Sequence, residues 1–427
     1  MSRDGVFQAS LEKAAFWLSG AAAASIIISI AVSQILLALA FAALLMSGEK
    51  LRLPPIRLPL ALFITGTLLS LAFSGEITAG FPQIRKLFVF LMLVVTYSTF
   101  RDVANVRGLV LWWIALGTVA AARGIMQFAH TVREAHLLGK DLYEYYLTRR
   151  ITGFMGHWMT FSGELMIVTI FLTALLFFSP LARRKVLWLF LLSMVLLLVA
   201  LLFSLTRSVW LATGFVGLYL IWSWRRWLVL AAPALFLAVA LLSPAAVRTR
   251  FVSIFYPRQQ IDSNQHRIVC WRTGWEMVRA HPWLGLGPEQ VGIQFNRYVP
   301  KDIPRPLPRG FYGHLHSIYV HYAAERGVPT MLALVWFLVK ILVDFLRVLS
   351  KLPTGRSDEK FLLYGGAGVV IGVMVAGLFE LNLGDSEVLT LFLAVIACGY
   401  VVRDRVLETA GVLTPHPLRS DASLRNL

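Results

Sequence analysis

Apolar runs of about 15 to 23 residues recur from one end of this chain to the other, each close to the length an α-helix needs to cross a bilayer. In lipid a helix satisfies its own backbone and an open strand or loop does not, so such runs admit a helical bundle and little else. Composition agrees: 58% of the residues are hydrophobic, 15% are charged and the mean hydropathy is +0.70. Soluble domains run at roughly 45–50% apolar and about 25% charged. The chain reads as an all-α integral membrane protein.

Taken in order, 14–46 is too long for one span and reads as two short helices joined by a tight turn near Ile30, one tilted helix being the alternative. Further spans follow at 58–73, 87–100, 108–129, 157–179, 186–203, 209–223, 227–242, 317–346, 361–383 and 388–402, about twelve in all. The first run continues beyond signal-peptide length without a small-residue cleavage site, so it is expected to be a retained anchor. Short loops carry Lys50, Arg52 and Arg57, then Arg101 and Arg107, Arg183-Arg184-Lys185, Arg225-Arg226, and Arg347 with Lys351, Arg356 and Lys360. The positive-inside rule places these loops, with Arg403 and Arg405, in the cytoplasm. The expected organisation is membrane helices over 1–243, an external helical subdomain over 244–315, the last spans over 316–403 and a cytoplasmic tail over 404–427.

The formal charge of +17 does not indicate nucleic acid, because most of it lies in those short loops. The rest does not follow the rule. Segment 244–314 holds ten Lys and Arg against four Asp and Glu on the expected outer side, a bias that an anionic ligand explains better than a solvated face near anionic headgroups. Thr206-Arg207-Ser208 puts a guanidinium between two apolar runs, at or just below the membrane surface. Such a charge either snorkels to headgroups or has a partner, and its planar fork suits a diphosphate. Arg267 opens an amphipathic helix over 265–280. Arg123 and Gln127 share a helix face at i, i+4 and are expected to line the same outer cavity. The external segment 130–156 adds the pair Arg149-Arg150 just ahead of His157, and Glu164 and Glu380 are intramembrane charges available to pair with arginines.

His314-Leu315-His316-Ser317-Ile318-Tyr319 stands where the arginine-rich segment meets an apolar run, so its histidines are expected at the membrane rim. An imidazole exchanges a proton near neutral pH, which makes it a natural base, although interfacial histidines also serve as polar anchors. A helix continuing through this stretch would put His316 and Tyr319 on one face. Neither a Walker-type loop nor HExxH occurs, so ATP hydrolysis and zinc proteolysis lack their parts. Cys270 and Cys398 suggest neither a disulfide framework nor a thiolate metal site. Asp385-Ser386-Glu387 has the acidic spacing of a metal-bound diphosphate site but reads more simply as a capping turn.

The run 267–288, with Trp271-Arg272-Thr273-Gly274-Trp275 and His281-Pro282-Trp283-Leu284-Gly285-Leu286-Gly287-Pro288, resembles the signature region of the O-antigen ligase and polymerase superfamily. His314-Leu315-His316-Ser317 followed by Glu325-Arg326-Gly327-Val328-Pro329 resembles its second half, and Ser204-Leu205-Thr206-Arg207-Ser208 the preceding element. Ser317 departs from the asparagine that many members carry beside the histidine. The resemblance implies a GT-C-like, metal-independent glycosyltransferase without a cofactor, set in the bacterial inner membrane with a periplasmic site. Its donor would be an undecaprenyl-diphosphate-linked O-antigen and its acceptor a hydroxyl of lipid A-core. Arg207, Arg267 and His316 would be the catalytic set, with Arg123, Gln127, Arg149, Arg150, His157, His314 and Tyr319 as substrate contacts. An O-antigen polymerase, a protein O-oligosaccharyltransferase and a transporter of lipid-linked glycans are the competing readings.

Overall fold

The computed structural model describes residues 3–183, 185–253 and 264–413, and every regular element among them is a helix. Arg184, part of 244–315 and the tail from 414 therefore lie outside the described residues. The first apolar stretch is indeed two helices, α1 (Arg3–Ser25) and α2 (Ile30–Met46). Ser29 makes the break: its hydroxyl accepts the Val32 amide at 3.4 Å and caps α2, while Ser33 ties the hairpin back to the Ala22 carbonyl at 2.8 Å.

The chain continues through α3 (Arg57–Ala72), α4 (Ile77–Arg85), a 3₁₀ stretch (Lys86–Phe90), α5 (Leu91–Thr99) and α6 (Val103–Leu137). Pro82 sits inside α4, where its missing amide loosens the ladder ahead of the 3₁₀ stretch. α6 extends well past the apolar 108–129, because Phe128, Thr131 and Ala135 keep a buried stripe while the remaining face turns polar. Then come α7 (Leu142–Leu147), α8 (Trp158–Phe178), α9 (Leu187–Phe203), α10 (Arg207–Arg225), α11 (Ala232–Leu242), α12 (Ala245–Val252), α13 (Asn264–Ala280) and α14 (Gln290–Tyr298). α15 (Ile318–Arg326), α16 (Val328–Leu349), α17 (Asp358–Ala376) and α18 (Ser386–Thr409) complete it.

Among the described residues, five stretches are long and apolar enough to cross a membrane by themselves: 77–99, α6, α8, α17 and α18; α2, α3 and α9 are shorter apolar helices. The chain is a multi-pass membrane protein. α8, α17 and α18 form its buried centre. Since lipid is as apolar as leucine, close backbone approach rather than hydrophobicity holds such helices together. α17 supplies it through Gly365 and Gly368, whose positions face Phe171, Ile170 and Val216 with no room for a side chain.

A second, smaller core built on Val269, Met277, Leu286, Phe295 and Leu315 belongs to α13, α14 and their connections, and it docks on α15. The apolar run 317–346 is not one helix. It breaks at Gly327 (φ +84°), and there the 281–288 turn clips on: Leu286 and Gly287 donate to the Ala324 and Glu325 carbonyls at 2.9 Å, and Val328 donates to Pro282 at 2.8 Å. A Cβ on Gly327 would lie 2.0 Å from the Trp283 carbonyl oxygen. Gly327→Ala is therefore expected to cost at least about 2 kcal/mol, from left-handed strain and the clash together. The readout is a lowered melting temperature of the detergent-solubilised protein, and an unchanged one would show that the clip contributes nothing.

Candidate active site

Arg207 is placed by a turn of only a few residues. α9 ends at Phe203 with Ser204 as its cap, Leu205 adopts φ +50°, and α10 begins at Arg207, so the guanidinium stands at one end of the bundle. Its Nη1 donates to the Ser253 carbonyl at 3.1 Å and hydroxyl at 3.3 Å, and Nη2 donates to Asn264 Oδ1 at 2.7 Å. Asn264 is the first residue of α13, so Arg207 fastens the start of the helix that carries Arg267.

One turn further, Arg267 Nη2 forms an ion pair with Glu380 Oε1. The other oxygen of the same carboxylate lies 3.3 Å from His316 Nδ1. Glu380, 4% exposed in the loop between α17 and α18, thus bridges the two residues. Burial alone would raise its pKa, but the Arg267 charge and the His316 contact outweigh it, and the carboxyl is held below its ordinary value. Because an ionised carboxylate only accepts, His316 directs its Nδ1–H at Glu380, and in the neutral ring the lone pair is then on Nε2. Nε2 is buried and has no hydrogen-bond partner among the described residues.

His316 is not on a helix face, as a continuous helix would require. Ser317 caps α15, with the Val320 amide directed at its hydroxyl, and His316 precedes that cap with φ +50°. Its amide donates to His314 Nδ1 at 3.3 Å and its carbonyl accepts from Trp271 Nε1 at 3.4 Å. The His314 ring lies edge-on, with centroids 4.2 Å apart; burial and then any positive charge on His316 push its pKa down to about 3, so at neutral pH its Nδ1 accepts the His316 amide and its proton sits on Nε2. Tyr319 does not join them, since its hydroxyl donates to the Met374 carbonyl at 2.9 Å and ties α15 to α17.

A second group lines an open pocket of about 580 Å³ that includes Arg123, Gln127, Arg149, Arg150 and Trp158. Arg123 lies over Phe154 at 4.5 Å and Arg150 over Trp158 at 4.3 Å, while Arg150 Nε donates to the Leu147 carbonyl at 3.1 Å. Arg149 pairs with Glu134 at 3.3 Å. Gln127 frames the pocket: its Oε1 accepts the Thr152 and Gly153 amides, both at 3.0 Å, and its Nε2 returns to the Gly153 carbonyl. His157 caps α8 by accepting the Met159 amide at 3.2 Å. The two groups are within each other's field, for burial and then Arg250 lower the Arg150 pKa while Glu380 opposes them.

Sequence reasoning singled out Glu380 only as an available charge, and it passed over Arg250. That residue is 5% exposed, donating from Nε to the Leu205 carbonyl at 3.2 Å and from Nη1 to Tyr143 at 3.4 Å, and so holds the Arg207 turn. Its only signal was membership in a basic segment. Glu164 does not pair with an arginine; it is fully buried on α8 with no hydrogen-bond partner among the described residues. Asp385 stands at the N-cap position of α18 but its side chain makes no cap bond there; it accepts the Thr160 hydroxyl of α8 at 2.8 Å instead.

A family model described as O-antigen ligase matches residues 192–335, about a third of the chain. That segment contains Arg207, Arg267 and His316, and the match supports the superfamily resemblance on which those residues were singled out. Glu380 and the 123–158 pocket lie outside it. No curated protein matches the chain.

Proposed function

From the place of residues 192–335 in the O-antigen ligase family, we propose that this chain is an inverting, metal-independent glycosyltransferase of the bacterial inner membrane. It moves an O-antigen glycan from undecaprenyl diphosphate to a hydroxyl of lipid A-core, at a site facing the periplasm. The observation that carries the reading is the bridge Arg267, Glu380, His316, which sets a permanently charged fork and a buried imidazole lone pair around one carboxylate.

His316 Nε2 takes the proton of the acceptor hydroxyl as its oxygen attacks the anomeric carbon. The bond from that carbon to the diphosphate oxygen breaks on the opposite side, so the centre inverts. Charge gathers on the departing diphosphate, where Arg207 and Arg267 stabilise it as a metal ion does elsewhere. A retaining route needs a free carboxylate as nucleophile, and Glu380 is engaged by two partners. The pocket with Arg123, Arg149 and Arg150 suits the anionic groups of the donor or of the phosphorylated acceptor core.

Sidedness rests on the opposite end of the bundle, where Arg101, Arg107 and Arg405 are paired with Glu49, Asp358 and Glu408. That end fits the cytoplasm by the positive-inside rule, and about twelve spans would bring the site to the other face. The test is to supply purified protein with lipid-linked glycan and lipid A-core together. Glycan on lipid A-core is the expected product. A longer glycan on the carrier alone would make the enzyme a polymerase, and movement of the donor without any new glycosidic bond would make the chain a transporter.

A further inference from the structure

We propose that His266, Cys270 and His316 form a binding site for a thiophilic divalent cation, Zn²⁺ above all, and that a cation held there switches off glycan transfer by occupying His316 Nε2. The inhibitory half rests on the role given to His316 above; the binding half does not.

His266 and Cys270 are one turn apart on α13 and share a face, with exposures of 4% and 0%. His266 Nε2 lies 3.7 Å from Cys270 Sγ, and the ligand atoms of all three residues fall within 4.8 Å of one another. Zn–N and Zn–S bonds of roughly 2.0–2.3 Å in a tetrahedron put neighbouring ligand atoms about 3.4–3.8 Å apart. The pair on α13 already meets that spacing, and a movement of about 1 Å by the His316 ring brings in the third ligand.

The surroundings match what a metal-binding histidine needs. A ligating imidazole uses one nitrogen and gives the other N–H to a carboxylate or backbone carbonyl. His316 has Glu380 on Nδ1 and an Nε2 without a partner among the described residues, and the His266 ring is held by a backbone hydrogen bond at Phe311. The two rings meet edge to face at 5.0 Å. Two imidazoles and a thiolate select soft or borderline cations over Mg²⁺ and Ca²⁺. Three protein ligands leave a fourth position for water. With Nε2 coordinated, no lone pair remains for the acceptor proton.

The test uses the full-length protein in detergent. Equilibrium dialysis against Zn²⁺ is expected to give one tight site, weakened at least about tenfold in Cys270→Ser and in His266→Gln. Co²⁺ is expected to give a thiolate charge-transfer band that Cys270→Ser lacks. In transfer assays Zn²⁺ is expected to inhibit the parent enzyme, reversibly with chelator, while Cys270→Ser stays active and is much less sensitive. Unaltered Zn²⁺ affinity in both variants would overturn the site. Full transfer at saturating Zn²⁺ would overturn the switch. If no glycan is transferred under any condition, the transferase reading fails and the dialysis still decides the site.

Discussion

Replacing His316 by alanine is expected to lower the rate of glycan transfer by about 10²–10⁴, with little change in the KM for the lipid-linked donor. The split follows from the role, since a base acts only on the proton leaving in the transition state and contributes nothing to holding the diphosphate. Glu380 should reveal itself as the residue that positions His316. Glu380→Gln keeps the size of the side chain but offers Nδ1 a neutral partner, and its effect on kcat through His316 should vanish when His316 is already alanine. Whatever loss persists in that background belongs to the pairing with Arg267. A ladder of lipopolysaccharide restored in full by His316→Ala in a ligase-null strain would remove the imidazole from the chemistry, and additive losses in the double variant would remove the dyad.

Hydropathy made most of the bundle legible, because in lipid the length of an apolar run and the length of a helix are set by the same thickness. Thus 157–179 became α8 and 186–203 became α9 almost to the residue. It failed where polarity and helicity part company. His130 to Leu137 looks like loop because it is polar, yet it continues α6 on a buried stripe. The break at Gly327 was hidden because Val328 and Pro329 are apolar and Pro suits the start of a helix, so the sequence shows no gap in hydropathy where the axis changes.

The candidate site was legible only in its parts. Arg207, Arg267 and His316 stood out by chemistry and by family resemblance, but the carboxylate joining two of them lies 113 residues from one and 64 from the other, beyond any local spacing rule. The backbone at His316 could not be read at all: φ +50° for a residue other than glycine follows from the Ser317 cap and the Trp271 contact, both tertiary facts. His266 and Cys270 do show the i, i+4 spacing of a ligand pair, yet a pair alone is not a site, and the third atom comes from His316, which is distant in sequence and precedes α15.

Arginine-to-lysine exchange at Arg267 is expected to cost about 10²–10³ in kcat, although the formal charge is unchanged. Nη2 is committed to Glu380, and Nε is buried with no partner among the described residues, so the fork holds one edge on the protein and has a further edge to offer a diphosphate oxygen. An ammonium cannot do both, because it is a point charge without a fixed second donor axis. Alanine is the poorer experiment here. It would strand the buried Glu380 carboxylate and lower stability by about 3–5 kcal/mol, mixing folding with catalysis. Arg207→Lys should show a comparable loss, since it gives up both the diphosphate fork and the bonds to Ser253 and Asn264 that seat α13. The discriminating measurement is single-turnover transfer at saturating donor for the two lysine variants, with melting temperature as the control. A rate within threefold of the parent enzyme in Arg267→Lys would mean that charge alone suffices, and the fork would have no part in stabilising the leaving diphosphate.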